Sequence, residues 1–244
     1  MSHLSYLLDL LHLASGCGGR RPSCCGLDAG SLQTGVSNVS DFIWRLCKGC
    51  VQLGSIPSMQ NVVNACPVDY VARVVCAAAT ESHTNFHPTA TPTAANGINV
   101  LHVYHPHRFR FSDLLNCLPR YGYPCHTLQY IDWRDRLMEF TMRQTDNALF
   151  PLLHYVLDDL PSSTKAPQLD DRQTQQLLTR LYGHGRGEAT LLSPAGEGKA
   201  SVSVVSHCPR MDEERIGLYL AYLVKVGFLG PPPQQGKGRP LPAI

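Results

Sequence analysis

The sequence predicts a mostly α-helical body carrying a few short strands. Apolar residues recur at i, i+3, i+4 and i+7 along several segments, the spacing that lines one face of a helix. Runs rich in β-branched residues are few and short. Proline and glycine, 18 and 20 residues of 244, cut the chain into many loops.

The elements follow in order. Leu4, Leu7, Leu8 and Leu11 form a helical stripe near the start. Ser40 stands where it would cap a helix from Asp41 to about Leu53, with Ile43, Leu46, Cys47 and Cys50 on one face and Gly54 after it. Asn61 to Ala65 reads as a short strand. Pro67 then falls in the first turn of a helix, where its missing N–H costs nothing. Val68, Val71, Ala72 and Val75 are that helix's expected buried stripe, and it ends near Ala79.

Residues 80–97 are rich in Thr, Ala, Pro and His without period and read as a flexible insertion. Asn99 to Tyr104 is β-like. Ser112 is placed to cap a helix to about Arg120, closed by Gly122. Cys125 to Ile131 alternates like a strand, and Asp132 is placed to cap a helix through about Phe140. Helical stripes return at Ala148–Leu157, Asp171–Tyr182 and Glu213–Val226. Gly183 to Lys199 is a glycine-rich loop, and the Pro/Gly-rich tail, 233–244, is expected to be disordered.

Composition bounds the function. A hydrophobic content of 43% is enough for a core, in one large domain or two small ones. A net charge of +2, with the positives scattered, argues against nucleic acid as a partner. No apolar run approaches the roughly 18 residues of a membrane span, so no membrane role is expected. Ten cysteines raise a zinc or disulfide reading, but Cys47-x-x-Cys50 is the one C-x-x-C and has no second pair at zinc-ribbon distance. On a helix those thiols share one apolar face, where cysteine behaves as a small hydrophobe. A reduced, cytoplasmic chain follows. His102-x-x-His105-x-His107 is the densest ligand cluster, yet no neighbouring Asp, Glu or Cys completes a metal spacing.

Specific motifs carry more. Thr34 to Ala79 contains T-G-V-S-N-V-S-D-F, R-L-C-K-G-C-V-Q-L-G and V-N-A-C-P-V-D-Y-V-A-R, ungapped and in order. Arg110 to Tyr123 ends in Y-G-Y and is followed by Trp133-Arg134. Leu152 to Asp171 and Met211 to Leu229 add two further blocks. Together, over roughly 33–232, these resemble the C-terminal, substrate-binding part of the thioester-reductase domain of the α-aminoadipate reductases, within the extended short-chain dehydrogenase/reductase family. The resemblance implies an α/β fold for the whole domain and NADPH as cofactor of the intact enzyme. It also implies a phosphopantetheine-bound acyl carrier domain as partner, and lysine biosynthesis as setting. Asn64, Pro67 and Asp69 then border the substrate cleft, although an Asp in a first turn also complements the helix dipole. Trp133 is expected to pack within the cap.

The same family exposes what the sequence lacks. No glycine-rich strand-to-helix turn is present to meet a dinucleotide pyrophosphate. No Tyr is followed four residues later by Lys, the pair that delivers the proton in this family. Residues 1–32 depart from the family pattern, and a truncated or mis-joined gene is the expectation. No cofactor is expected to bind this chain alone, and hydride transfer is not expected of it. The missing dinucleotide-binding half becomes a partner, with the stripes Ile43/Leu46/Cys50 and Val68/Val71/Val75 left partly uncovered. Two rival readings stand beside this one: a non-catalytic interaction module pairing with a separate cofactor-binding chain, and a small thiol or metal protein.

Overall fold

The computed structural model describes residues 27–28, 30–80, 101–105, 107, 109–144, 146–163, 169–182, 208–233 and 238–244. The Leu4–Leu11 stripe, most of the atypical segment 1–32, the insertion from residue 81 and the loop 183–199 lie outside them. Helices dominate, with three two-stranded pairings among the described residues.

Helix α1, Phe42–Leu53, carries the first predicted stripe, and Ile43, Leu46, Cys47 and Cys50 are all buried. Its N-cap is Asp41 rather than Ser40, because the Asp41 carboxylate accepts from the Ile43 N–H at 3.1 Å. Gly54 closes the helix at φ 67° and donates to the Cys50 and Val51 carbonyls. The expected uncovered patch is absent here. Tyr219 packs on Trp44 with ring centroids 5.4 Å apart, and the C-terminal helices close over the stripe.

Strand β1, Leu27–Asp28, pairs in parallel with β4, Ala65–Cys66. The expected strand over Asn61–Ala65 is instead split. Its first part, β3 (Val62–Val63), runs antiparallel to β5 (Phe109–Arg110), and its second is β4. Strand β2, Ser55–Ser58, pairs in parallel with β6, His126–Gln129. Residues 101–105 form no strand. Leu101 and Val103 pack on the cluster of Tyr70, Val74, Ala77, Leu177 and Leu178, and the His102 carbonyl accepts from the Thr174 hydroxyl at 2.7 Å.

Helix α2, Val68–Thr80, buries Tyr70, Val74 and Ala77 against Leu177 and Leu178 of α7, Arg172–Tyr182. The expected stripe Val68, Val71, Ala72, Val75 is only half-buried, so the inward face was misassigned. Helices α3, Phe111–Leu115, and α4, Cys117–Arg120, replace the single helix expected from Ser112. Arg110 is the N-cap there, its N–H bonded to the Asp113 carboxylate at 2.9 Å. Helix α5, Tyr130–Arg143, starts two residues before the expected cap Asp132, which lies in its first turn. A 3-10 turn at Phe150–Leu152 leads into α6, Leu153–Ser163. Asp212 caps α8, Glu213–Lys225, accepting from the Arg215 N–H at 3.0 Å.

The Y-G-Y turn ties the core to α8. Tyr121 donates to the Glu213 carbonyl at 2.8 Å and Tyr123 to the Gly230 carbonyl at 2.7 Å. Trp133 is fully buried and donates to the Ser55 carbonyl at 3.1 Å. Against the expectation of a disordered tail, residues 238–244 are docked: the Arg239 N–H donates to the Arg120 carbonyl at 2.8 Å and Leu241 packs on the core. Among the described residues, no helix is long and apolar enough to cross a membrane.

Candidate functional site

The three residues expected at the cleft sit together where β4 runs into α2. Pro67 is the single residue between strand and helix; it is buried, and its carbonyl accepts from the Tyr70 and Val71 N–H groups. Asn64 and Asp69 flank it, both half-buried. The Asn64 side-chain oxygen accepts from the His105 N–H at 2.9 Å and, more weakly, from the Cys66 thiol at 3.8 Å. The Asp69 carboxylate accepts from the Leu32 N–H at 2.5 Å and the Ser31 hydroxyl at 3.5 Å. Sequence alone flagged these polar groups but not their partners, which lie 41 and 37 residues away along the chain. The junction is a knot binding the 30–37 loop, the segment ending at His105, and α2.

His105 extends the knot. It is 2% exposed, with Nδ1 at 2.5 Å from the His107 carbonyl and Nε2 at 3.1 Å from the Pro209 carbonyl. Burial holds its imidazole below the ordinary range, outweighing the upward pull of those carbonyls. Both ring nitrogens of His105 lie against backbone carbonyl oxygens, so neither faces open space where a metal could sit. His102 Nδ1 lies instead at 2.9 Å from the Asp170 carbonyl. No trio of His, Cys, Asp or Glu converges on a metal site among the described residues.

Proton chemistry fares no better at this junction. Burial pushes the phenols of Tyr70, Tyr121 and Tyr123 upward, whereas a tyrosine acid–base catalyst needs a neighbouring cation to pull its pKa down. The lysines described are elsewhere: Lys48 lies over the Phe228 ring, and Lys225 Nζ reaches the Ile244 carbonyl at 3.4 Å. Cys47 and Cys50 are fully buried with thiols pushed up by burial; Cys117 rises to about 12 and Cys125 to about 11. These are packing thiols rather than nucleophiles.

A dinucleotide pyrophosphate would need free N–H groups at a strand-to-helix junction. At β4–α2, Pro67 has no N–H, the Val68 N–H donates to the Gly30 carbonyl at 3.0 Å, and Asp69 adds negative charge. At β5–α3 and β6–α5 the first turn likewise carries a carboxylate, Asp113 and Asp132. Among the described residues, each of these three junctions already holds an anion of the protein's own. A groove of about 750 Å³ lies along α5, lined by Leu53, Asp132, Asp135, Arg136, Glu139, Phe140, Arg143 and Gln144, and shares no residue with the knot.

No protein-family model matches the chain. The L-2-aminoadipate reductase of Schizosaccharomyces pombe is 38% identical over 216 residues, 88% of this chain and 13% of that protein. The L-2-aminoadipate reductase large subunit of Penicillium chrysogenum is 39% identical over 224 residues, 89% of this chain and 14% of the relative. The chain is similar to part of an L-2-aminoadipate reductase. It spans about one seventh of the length of these relatives.

Solved structures give the fold. The terminal R domain of the myxalamid PKS-NRPS biosynthetic pathway superposes with a TM-score of 0.58 at 25% identity, over 84% of this chain and 43% of that one. A thiolation-reductase di-domain from an archaeal non-ribosomal peptide synthetase gives 0.52 at 19% identity, over 82% and 34%. The helix-rich chain with parallel strand pairs therefore shares the α/β fold of part of these reductase domains. More than half of each of these solved chains lies outside the match.

Proposed function

We propose that the chain is the substrate-side portion of an NADPH-dependent carrier-thioester reductase of the L-2-aminoadipate type, working in the cytoplasm on an aminoadipyl group held by a phosphopantetheine arm. The observation that carries this reading is the 38–39% identity to the fungal aminoadipate reductases, sustained over nearly nine-tenths of the chain. In the reaction, one hydride and one proton convert the thioester to the semialdehyde and free the carrier thiol. NADPH, bound by the part of the domain outside this chain, supplies the hydride.

In this reading Asn64, Pro67 and Asp69 form the cleft wall. Asn64 and Asp69 act mainly by position: their oxygens hold His105 and the 30–37 loop in place. The remaining amide NH₂ of Asn64 is the donor that a substrate oxygen would meet. Without the Tyr/Lys pair and the cofactor turn, the isolated chain is inactive.

A chimera tests the proposal. This chain replaces the matching 216 residues of the Schizosaccharomyces pombe reductase, and NADPH oxidation is followed with an aminoadipyl-carrier thioester. The chimera should release semialdehyde where the chain alone releases none. A folded chimera that holds NADPH but reduces no thioester would count against the reading.

A further inference from the structure

We propose that the outer face of α5 joins two copies of this chain, α5 pairing antiparallel with α5 of the second copy about a two-fold axis, a contact that stands apart from the reductase reading. Helix α5 is anchored in the core by Trp133, Leu137 and Thr141, all buried. On its outer side Asp132, Arg136, Glu139 and Arg143 recur at i, i+4, i+7 and i+11, so they form one row along the helix. All four are exposed, and all four line the groove of about 750 Å³ that Leu53 and Phe140 also line. Beside the row stand Ile131 and Met142, 62% and 84% exposed, each one residue in from an end of the helix. A solvated charged face is ordinary; large apolar side chains left in water at both of its ends are not.

The order of the charges says what covers it. Along the row the signs run minus, plus, minus, plus, with spacings of four, three and four residues. Reversed, this row is its own complement. An antiparallel copy sets Asp132 against the partner's Arg143 and Arg136 against the partner's Glu139, and the two-fold axis repeats both pairs. A parallel copy would set like against like at every position, so the charges select the antiparallel arrangement. Contacts within the helix leave this pattern intact: Arg143 meets Glu139 at 2.6 Å and Arg134 meets Asp135 at 3.2 Å. Asp132 and Arg136 enter no ion pair among the described residues. The same arrangement brings Ile131 towards the partner's Met142 and covers the apolar surface at both ends. Fourteen residues of helix span only about 21 Å, and exposed ion pairs are individually weak, so the association is weak and salt-sensitive.

Sedimentation velocity of the 244-residue chain over a concentration series tests the contact. A dimer should form with a Kd of about 10–100 μM at low salt, and at least about tenfold more weakly in about 1 M NaCl. Arg136→Glu alone, or Glu139→Arg alone, sets two like-charge pairs across the axis and should weaken self-association at least about tenfold. Mixed in equal amounts, the two variants regain opposite charges at all four pairs and should associate about as tightly as wild type. Loss of folding cannot produce that rescue. A chain still monomeric at about 500 μM, or a mixture that associates no more tightly than either variant alone, would overturn the proposal. Self-association untouched by both substitutions would place the contact elsewhere on the surface and equally overturn it.

Discussion

Replacing Gly217 by alanine sets two effects of opposite sign against each other at the contact between the Y-G-Y turn and α8. In an exposed helix interior, Gly→Ala stabilises by about 1 kcal/mol through backbone entropy alone. At position 217, however, a Cβ would sit 2.1 Å from the Tyr121 hydroxyl oxygen, 2.5 Å from Cζ and 3.0 Å from Cε1. Tyr121 is 1% exposed and cannot swing into solvent. Retreat of its ring would overpack the core, at about 1–3 kcal/mol, and would also strain the hydrogen bond to the Glu213 carbonyl, worth about 0.5–1.5 kcal/mol. The clash wins, and Gly217→Ala should destabilise the chain by about 1–3 kcal/mol, lowering the melting temperature by several degrees. Urea denaturation of wild type, Gly217→Ala, Tyr121→Phe and the double variant measures it. The double variant should lose less than the two single changes added together, because the nearest clashing atom is gone. A Gly217→Ala protein as stable as wild type, or more so, would refute the packing of Tyr121 on α8.

Other expectations follow from the same structure. Cys47 and Cys50 are fully buried, so native labelling should proceed only through opening of the core; for a domain stable by about 5 kcal/mol or more it should be at least about a thousandfold slower than in denaturant, and equal rates would place α1 on the surface. Burial depresses the His105 pKa below 6.5, so between those values the unfolded state binds more protons than the folded one. Stability should therefore be fully present above pH 6.5 and fall as pH drops through the folded pKa; in His105→Gln the pH slope should flatten, and an unchanged slope would rule His105 out as its source. Asp69→Ala removes the acceptor of the Leu32 N–H and should cost about 1–3 kcal/mol, with faster proteolytic cleavage within residues 31–36; undiminished stability and protection would mean that the loop is held by other contacts.

Legibility in the sequence followed the contrast between apolar and polar faces. In α1 that contrast is strong, and the predicted face and ends are close to those observed; for α8 the predicted ends were also close. In α2 the run V-D-Y-V-A-R-V-V-C-A-A-A is apolar nearly all round, so periodicity could not choose between Val68/Val75 and Tyr70/Val74, and α7 decided. Strand β2 was invisible because Ser-Ile-Pro-Ser is short and contains Pro57; only its parallel partner β6, some 70 residues on, makes it a strand. The capping residues were displaced by one to three positions: Asp41 rather than Ser40, Arg110 rather than Ser112, and Gln129 rather than Asp132. At the candidate site, Asn64 and Asp69 were marked by the family resemblance and not by any local pattern. That their oxygens serve His105 and Leu32 depends on tertiary closure, which no local pattern encodes.

Titration of the purified chain with NADPH, followed by the cofactor's fluorescence, tests most directly the claim that this chain supplies the substrate side of a reductase and not its cofactor site. The strand-to-helix junctions, each carrying Asp69, Asp113 or Asp132 in the first helical turn, predict no saturable binding. Saturation in the micromolar range, about −8 kcal/mol, would contradict that claim and reveal a cofactor site within the chain itself.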